Sequence, residues 1–122
     1  MSQEVKWQGS KWIRPEKRLA LYIRDGFQCA YCGSSLKNAT PADVTLDHLV
    51  PRCAGGNNEA TNLITACRSC NSSRQDTPWL SYATGGARDR IETLRHQPIN
   101  VALAKAIISD EIAQATADVE TR

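Results

Sequence analysis

The chain has 122 residues, of which 41% are hydrophobic and 23% are charged, and its formal net charge is +2. This length suits one small domain with an extension, and the composition excludes collagen-like, coiled-coil and wholly disordered chains. No apolar run approaches the ~20 residues of a membrane span and the first residues lack a signal-peptide core, so we expect a cytoplasmic protein with reduced thiols and no membrane partner.

Basic charge is concentrated at the front of the chain. Residues 1–37 contain seven Lys or Arg residues against three Asp or Glu residues, a net charge of +4, and Lys11 and Arg14 lie close to Trp7 and Trp12. Basic and aromatic side chains together favour contact with the phosphates and bases of a nucleic acid. A solvated arm whose tryptophans pack on the core is the alternative, and the sequence leaves both open.

The first predicted helix begins at Pro15, whose missing N–H does no harm in a first turn, and it ends at Gly26, a typical left-handed cap. Apolar residues at spacings of three and four predict the buried stripe of this helix, which consists of Leu19, Tyr22 and Ile23.

Two short strands are predicted at residues 44–50 and 63–66. Pro51 closes the first strand, and the turn-rich segment AGGNN separates it from the second, which favours an antiparallel pair. A short helix is predicted after Cys70, and it ends before Pro78 because the residue preceding a proline disfavours helix.

Two further helices are predicted in the last third of the chain, at residues 88–96 and from an Asn100 cap onward. The second has an apolar stripe, which consists of Val101, Ala104, Ile108, Ile112 and Ala115. This stripe is expected either to pack on the same chain or to form a dimer seam.

Four of the five cysteines form two C-x2-C pairs, Cys29 with Cys32 and Cys67 with Cys70. Two such pairs supply the four thiolates of a closed tetrahedral zinc site, and this pattern is a strong one compared with four unrelated buried thiols. We therefore predict a structural Zn²⁺ that ties together the ends of the strand pair. Cys53 is left over as a thiol with a packing role.

A second group of chemically active residues lies between and beside these pairs. Asp47, His48 and Asn71 come close together if the strands and the short helix pack around the zinc, and they offer oxygen ligands for a hard cation and an imidazole base. Neighbouring residues of a regular strand point to opposite faces. The sequence therefore predicts an irregular strand end near Pro51.

The order of these motifs resembles the HNH endonuclease family, which has a zinc-bound ββα-metal fold. The pattern is C-x2-C, then LDHLVPRCAGGNNEATNLITAC, then C-N-x2-R, and it covers about residues 29–74. The family's defining residues would be His48, Asn62 and Asn71, the last in place of the histidine that many members have. The resemblance implies an α+β fold, with a ββα-metal core preceded by one helix and followed by two C-terminal helices.

The resemblance also implies a role for each matched residue. His48 would be the general base, Asp47 and Asn71 would hold one catalytic Mg²⁺ or Mn²⁺, and Asn62 would hold the loop between the strands. DNA contacts are expected from basic side chains near these positions, with a solvated surface charge as the equal alternative for each, namely Arg52, Arg68 and Arg74.

The expected organisation is a basic arm and lead-in helix at residues 1–28, a nuclease core at 29–77 and a helical extension at 78–122. The expected function is a metal-dependent DNA endonuclease that nicks double-stranded DNA as a monomer. The alternatives are a zinc-stabilised DNA-binding module without cleavage and an accessory to a phage packaging enzyme. A homodimer or a packaging partner would dock on the C-terminal helices.

Overall fold

The computed structural model describes residues 13–120, with the side chains of residues 115–120 outside the description. The described part contains a two-stranded sheet and five α-helices. In chain order these elements are α1 (Pro15–Arg24), β1 (Val44–His48), β2 (Leu63–Cys67), α2 (Arg68–Arg74), α3 (Trp79–Tyr82), α4 (Ala87–Arg95) and α5 (Val101–Glu120). None of the helices in residues 13–120 combines the length and the apolar character that a membrane crossing requires.

The two strands pair in antiparallel fashion, which confirms the prediction. Val44 lies opposite Cys67 at one end of the sheet, and His48 lies opposite Leu63 at the other. Strand β1 ends at His48, two residues before the predicted end, because Leu49 and the next residue form a bend. The irregular strand end expected before Pro51 is therefore present.

Strand β2 is buried on both faces. Ile64 and Ala66 pack in one apolar cluster with Ile91 of α4, whereas Leu63 packs with Leu21 of α1 in a second cluster. Successive side chains of a strand point to opposite faces, so α1 and α4 cover the two sides of the sheet. The helices that flank the strand pair in sequence thus complete its core.

Helix α1 begins and ends as predicted. Pro15 occupies its first turn, Asp25 is the C-cap, and Gly26 adopts the left-handed conformation with φ of +73°. The N–H of Gly26 donates to the carbonyl of Ile23 at 3.0 Å, so the chain turns away from the helix there.

The predicted buried stripe of α1 is wrong. The most buried side chains are Ala20 and Leu21, because β2 and α5 cover the helix from two directions and shield the residues between them. The residues of the predicted stripe are only half-buried, and they are Leu19, Tyr22 and Ile23.

The short helix α2 begins at Arg68, earlier than predicted, because the sulfur of Cys67 caps it by accepting a hydrogen bond from the Cys70 N–H. The two predicted C-terminal helices are present as α4 and α5. The Asn100 cap is confirmed, since its Oδ1 accepts from the Leu103 N–H at 2.9 Å. A single extra helical turn, α3, follows Pro78.

The apolar stripe of α5 divides along the helix. Ala104 is fully buried where α5 packs on α1, Ile108 is half-buried, and Ile112 is 63% exposed. The first part of the stripe therefore packs on the same chain. The side chain of Ala115 lies outside the description.

Candidate active site and metal centre

The four predicted zinc ligands meet at one point. The Sγ atoms of the two cysteine pairs all lie within 4.8 Å of one another, and those of Cys32 and Cys67 are 3.9 Å apart. A tetrahedral zinc with Zn–S bonds of about 2.3 Å places its sulfurs roughly 3.8 Å apart. The cluster therefore has the size that a four-thiolate metal site requires.

Each cysteine pair forms a tight turn in which a backbone N–H donates a hydrogen bond to a cysteine sulfur. The Cys32 N–H donates to Cys29 Sγ at 3.5 Å, and the Cys70 N–H donates to Cys67 Sγ at 3.3 Å. These bonds favour negative charge on the accepting sulfurs, and they explain why the x2 spacing lets both thiols of a turn face the same point.

The thiols differ in how readily they lose a proton. Burial raises the pKa of Cys29 and of Cys70, whereas the hydroxyl of Ser34, 3.1 Å from Cys32 Sγ, lowers the pKa of Cys32 to about 6. A metal ion that takes all four sulfurs as ligands must therefore displace protons from the buried thiols.

The opposite end of the sheet holds a small open cavity of about 200 Å³. Asp47, His48 and Asn71 all line it, so the structure brings together the three residues that the sequence analysis placed near one another. The remaining lining residues are Leu46, Pro51, Arg52, Arg74 and Gln75.

Asp47 is held firmly by one of its two oxygens. Its Oδ2 accepts hydrogen bonds from the Tyr31 hydroxyl and from Nη1 of Arg74, and the residue is only 6% exposed. Burial and the neighbouring carboxylate raise the pKa of Tyr31, so its hydroxyl stays protonated and remains a donor. No described residue donates to Oδ1 of Asp47, which leaves that oxygen available as a ligand.

Arg74, for which the sequence left a phosphate contact and a solvated surface charge open, is a buried residue at the wall of the cavity. It is 2% exposed, and its guanidinium donates to Asp47 and to the carbonyls of His48 at 3.0 Å, Leu49 at 2.8 Å and Thr77 at 2.9 Å. The positive charge of Arg74 thus offsets the Asp47 carboxylate inside the protein. Its hydrogen bonds to the carbonyls of His48 and Leu49 fix the bend at the end of β1.

Asn71 offers one oxygen to the same cavity. Its Nδ2 donates to the Thr45 hydroxyl at 2.9 Å, which fixes the amide orientation. No donor within residues 13–120 reaches its Oδ1. Asp47 and Asn71 therefore each use one polar atom for internal support, and neither Oδ1 atom has a donor within residues 13–120.

His48 has a polar partner that the sequence analysis did not name. Its Nε2 lies 2.7 Å from Oδ1 of Asn58, and both side chains are half-buried. Nothing in the spacing of Asn58 distinguishes it from the other asparagines of this turn-rich segment, so the sequence carries no signal for the contact.

Asn62 holds the loop between the strands. Its side chain accepts from the Val50 N–H at 2.8 Å and donates to the carbonyls of Val50 at 3.0 Å and Asn57 at 2.8 Å. Gly56 packs so closely against this corner that a Cβ atom there would overlap the Val50 carbonyl. Asn62 does not line the cavity, so its contribution is to the shape of the loop.

The predicted DNA-contacting residues are scattered. Arg52 lies at the cavity, Arg68 pairs with Asp43 at 3.6 Å on the surface, and Arg14 is an exposed residue paired with Glu16 at 3.1 Å. Lys11 lies outside the described residues.

Residues 29–77 match the sequence model of the HNH endonuclease family. This segment is an HNH endonuclease domain. Its two strands, the helix α2 and the clustered cysteines confirm the small α+β fold expected from the motif order.

Two curated relatives extend this similarity. The CRISPR-associated endonuclease Cas9 of Corynebacterium diphtheriae is 31% identical over 103 residues, which take in 79% of this chain and 9% of that protein. The CRISPR-associated endonuclease Cas9 of Actinomyces naeslundii is 39% identical over 67 residues, 54% of this chain and 6% of that protein. The chain therefore spans less than a tenth of the length of either relative. The 103-residue similarity is longer than the HNH domain and therefore also includes residues outside it.

Proposed function

We propose that the chain is a metal-dependent endonuclease that hydrolyses DNA phosphodiester bonds, with the HNH domain at residues 29–77 as its catalytic unit. The observation that carries the proposal is that His48, Asp47 and Asn71 line one open cavity at the end of the strand pair. An imidazole base beside oxygen ligands is the arrangement that metal-assisted hydrolysis uses.

Asp47 and Asn71 would hold one Mg²⁺ or Mn²⁺ through their Oδ1 atoms. Support comes from the bonding of the two side chains, since internal partners occupy Oδ2 of Asp47 and Nδ2 of Asn71 but not the Oδ1 atoms. A hard cation with so few protein ligands keeps several waters, as Mg²⁺ prefers. When bound, the cation supplies Lewis-acid stabilisation of a phosphate oxygen and of the leaving oxygen.

His48 takes a proton from the attacking water. The resulting hydroxide forms the new bond to phosphorus, the bond from phosphorus to the 3′ oxygen breaks, and the products are a 5′-phosphate and a 3′-hydroxyl after the leaving oxygen gains a proton from solvent. Arg74 and Asn62 act at a distance, because Arg74 holds the backbone carbonyl of His48 and Asn62 holds the backbone of Val50 just after it.

Zinc in the cysteine cluster would hold the fold and take no part in the reaction. Four soft thiolates suit Zn²⁺, whereas the oxygens of Asp47 and Asn71 suit a harder ion. The register of the strands places the cluster at the end of the sheet remote from His48.

Contact with DNA would use Arg52 at the cavity and, more weakly, Arg68, Arg14 and Lys11. We assign Arg74 to the support of Asp47 instead of to a phosphate, because its guanidinium already bonds four groups of the protein. Contacts dominated by phosphates predict binding that weakens steeply as salt is raised.

A supercoiled-plasmid assay tests the proposal. The zinc-loaded chain is incubated with Mg²⁺, with Mn²⁺ and without added divalent cation, and we expect open circles only when a divalent cation is present. Open circles indicate nicking, which a monomer with one His48 per chain should give. Binding without any product would overturn the proposal in favour of a zinc-stabilised DNA-binding module, and linear product from single encounters would overturn the monomeric nicking step.

A further inference from the structure

The segment at residues 57–63, which is the loop before β2 together with the first residue of that strand, has every one of its backbone carbonyls engaged in a hydrogen bond. Three of them, those of Glu59, Ala60 and Asn62, accept from backbone N–H groups. Five accept from side chains, with Ala60 in both groups, and they belong to Asn57, Asn58, Ala60, Thr61 and Leu63. Hydrogen bonds therefore restrain this loop along its whole length.

Most of these side-chain donors come from outside the HNH domain. Lys17 of α1 donates to the Asn58 carbonyl, and Arg24 of α1 donates to the carbonyls of Ala60 at 2.8 Å and of Leu63 at 2.7 Å. Arg95 of α4 donates to the Thr61 carbonyl at 2.7 Å. Three cationic side chains of the two flanking helices therefore bind the backbone of the loop.

The loop in turn carries the polar partner of His48. The Oδ1 atom of Asn58 can only accept a hydrogen bond, so the 2.7 Å contact requires a proton on Nε2 of His48. In the neutral imidazole, a proton on Nε2 leaves the lone pair on Nδ1, which is then the nitrogen that can take a proton.

We propose that Asn58 is a positioning residue for His48, fixing the imidazole in the Nε2–H tautomer with Nδ1 as the base, and that Lys17 and Arg95 hold the loop that presents Asn58. The proposal rests on the function proposed above and adds a residue and two flanking helices to it.

The tautomer is measured by long-range ¹H–¹⁵N correlation of the full zinc-loaded chain at a pH where the imidazoles are neutral. The chain has two histidines, so His96, which lies 3.0 Å from Glu92 and far along the chain, is an internal reference. We expect the Nε2–H pattern for His48 in the wild type and in Asn58→Asp, which keeps an acceptor. Asn58→Ala should give a mixture of the two tautomers, whereas His96 should not change.

Plasmid cleavage by the same proteins gives the second readout. Asn58→Ala keeps its backbone carbonyl and hence its bond to Lys17, so the fold should be retained. We expect kcat to fall by about 10- to 100-fold with little change in KM, and Asn58→Asp to recover most of it. Asn38→Ala, a change at an exposed loop residue, is the matched control and should cleave like the wild type.

The contact between α1 and the loop is tested by Lys17→Met. This variant should lower kcat as Asn58→Ala does, but to a smaller extent. Lys37→Met, at an exposed lysine outside this contact, should have no such effect. An Nδ1–H tautomer in the wild type, or an Asn58→Ala variant with unchanged tautomer and kcat, would overturn the proposal. The tautomer of His48 is measured in the absence of DNA. If the wild-type chain does not cleave DNA, the proposed function is overturned, but the NMR measurement still tests whether Asn58 positions His48.

Discussion

The two ends of the two-stranded sheet differ in how the atoms that could bind a metal are arranged. At the end where Cys67 lies opposite Val44, all four cysteine sulfurs converge on one point. At the His48 end, about 13 Å away along the strand, Asp47 and Asn71 each bond the protein with one atom and keep one oxygen for the cavity. A structural metal site closes its coordination shell, and a catalytic one keeps positions open for water and substrate.

The supporting contacts of the two ends differ accordingly. Backbone N–H groups and the Ser34 hydroxyl form hydrogen bonds with the sulfurs, and we expect the cysteine end to depend on a bound metal for its stability. Arg74 and Asn62 surround the His48 end with side-chain hydrogen bonds, so that end keeps its shape without a cation. Changes at the two ends should therefore have separable effects on stability and on activity.

The largest effect is expected at the cysteine end. Cys29→Ser should abolish tight zinc binding, which contributes about 10–16 kcal/mol of apparent free energy in small zinc peptides. A domain of this size has a net stability of only ~5–15 kcal/mol, so the variant should be unfolded at room temperature. Circular dichroism and zinc analysis check this, with Cys53→Ser, at an exposed thiol, as the control that should remain folded and loaded. A folded, zinc-loaded Cys29→Ser protein would contradict the structural assignment.

A smaller loss of stability is expected from Arg74→Met. The substitution leaves the Asp47 carboxylate buried without its cation, and breaking a buried ion pair in this way costs about 3–5 kcal/mol. The matched control is Arg68→Met, which removes an exposed pair with Asp43 and should cost less than about 1 kcal/mol. Urea unfolding of the zinc-loaded proteins measures both, and equal losses would show that Arg74 does not carry the support assigned to it.

The smallest of these stability effects should follow from Asn62→Ala. This change leaves the Val50 N–H without its partner and loosens the loop behind His48, at a cost of about 1–3 kcal/mol. Plasmid cleavage should fall with it because the end of β1 is no longer fixed. Asn57→Ala removes a single exposed bond to the Glu59 N–H and should alter neither quantity appreciably. Cleavage by Asn62→Ala at the wild-type rate would mean that the loop does not orient the base.

Local patterns were sufficient to predict most elements of the fold, although not the short helix α3. The two C-x2-C spacings predicted the metal cluster, Pro15 and Asn100 predicted where helices begin, and the turn-rich segment predicted an antiparallel pair. Each of these signals acts over a few residues, so a sequence can show it without tertiary information.

The contacts that support the site could not be predicted in this way. Arg74 was expected either to contact a phosphate or to be a solvated surface charge, but it is buried with a partner 27 positions away in the chain. Asn58 likewise reaches His48 across a turn. The contact of Arg74 with Asp47 depends on the packing of α2 on β1, which no local pattern encodes. The position of Arg74 three residues after Asn71 was a partial signal, since such residues share a helix face.

The most direct test of the separation between the two ends is the plasmid cleavage rate of His48→Ala, measured on protein whose zinc content and circular dichroism match those of the wild type. We expect a rate at least about 100-fold lower with either Mg²⁺ or Mn²⁺, because the general base is lost while the cysteine end is untouched. Cleavage by that variant at a rate close to that of the wild type would contradict the assignment of the reaction to the His48 end.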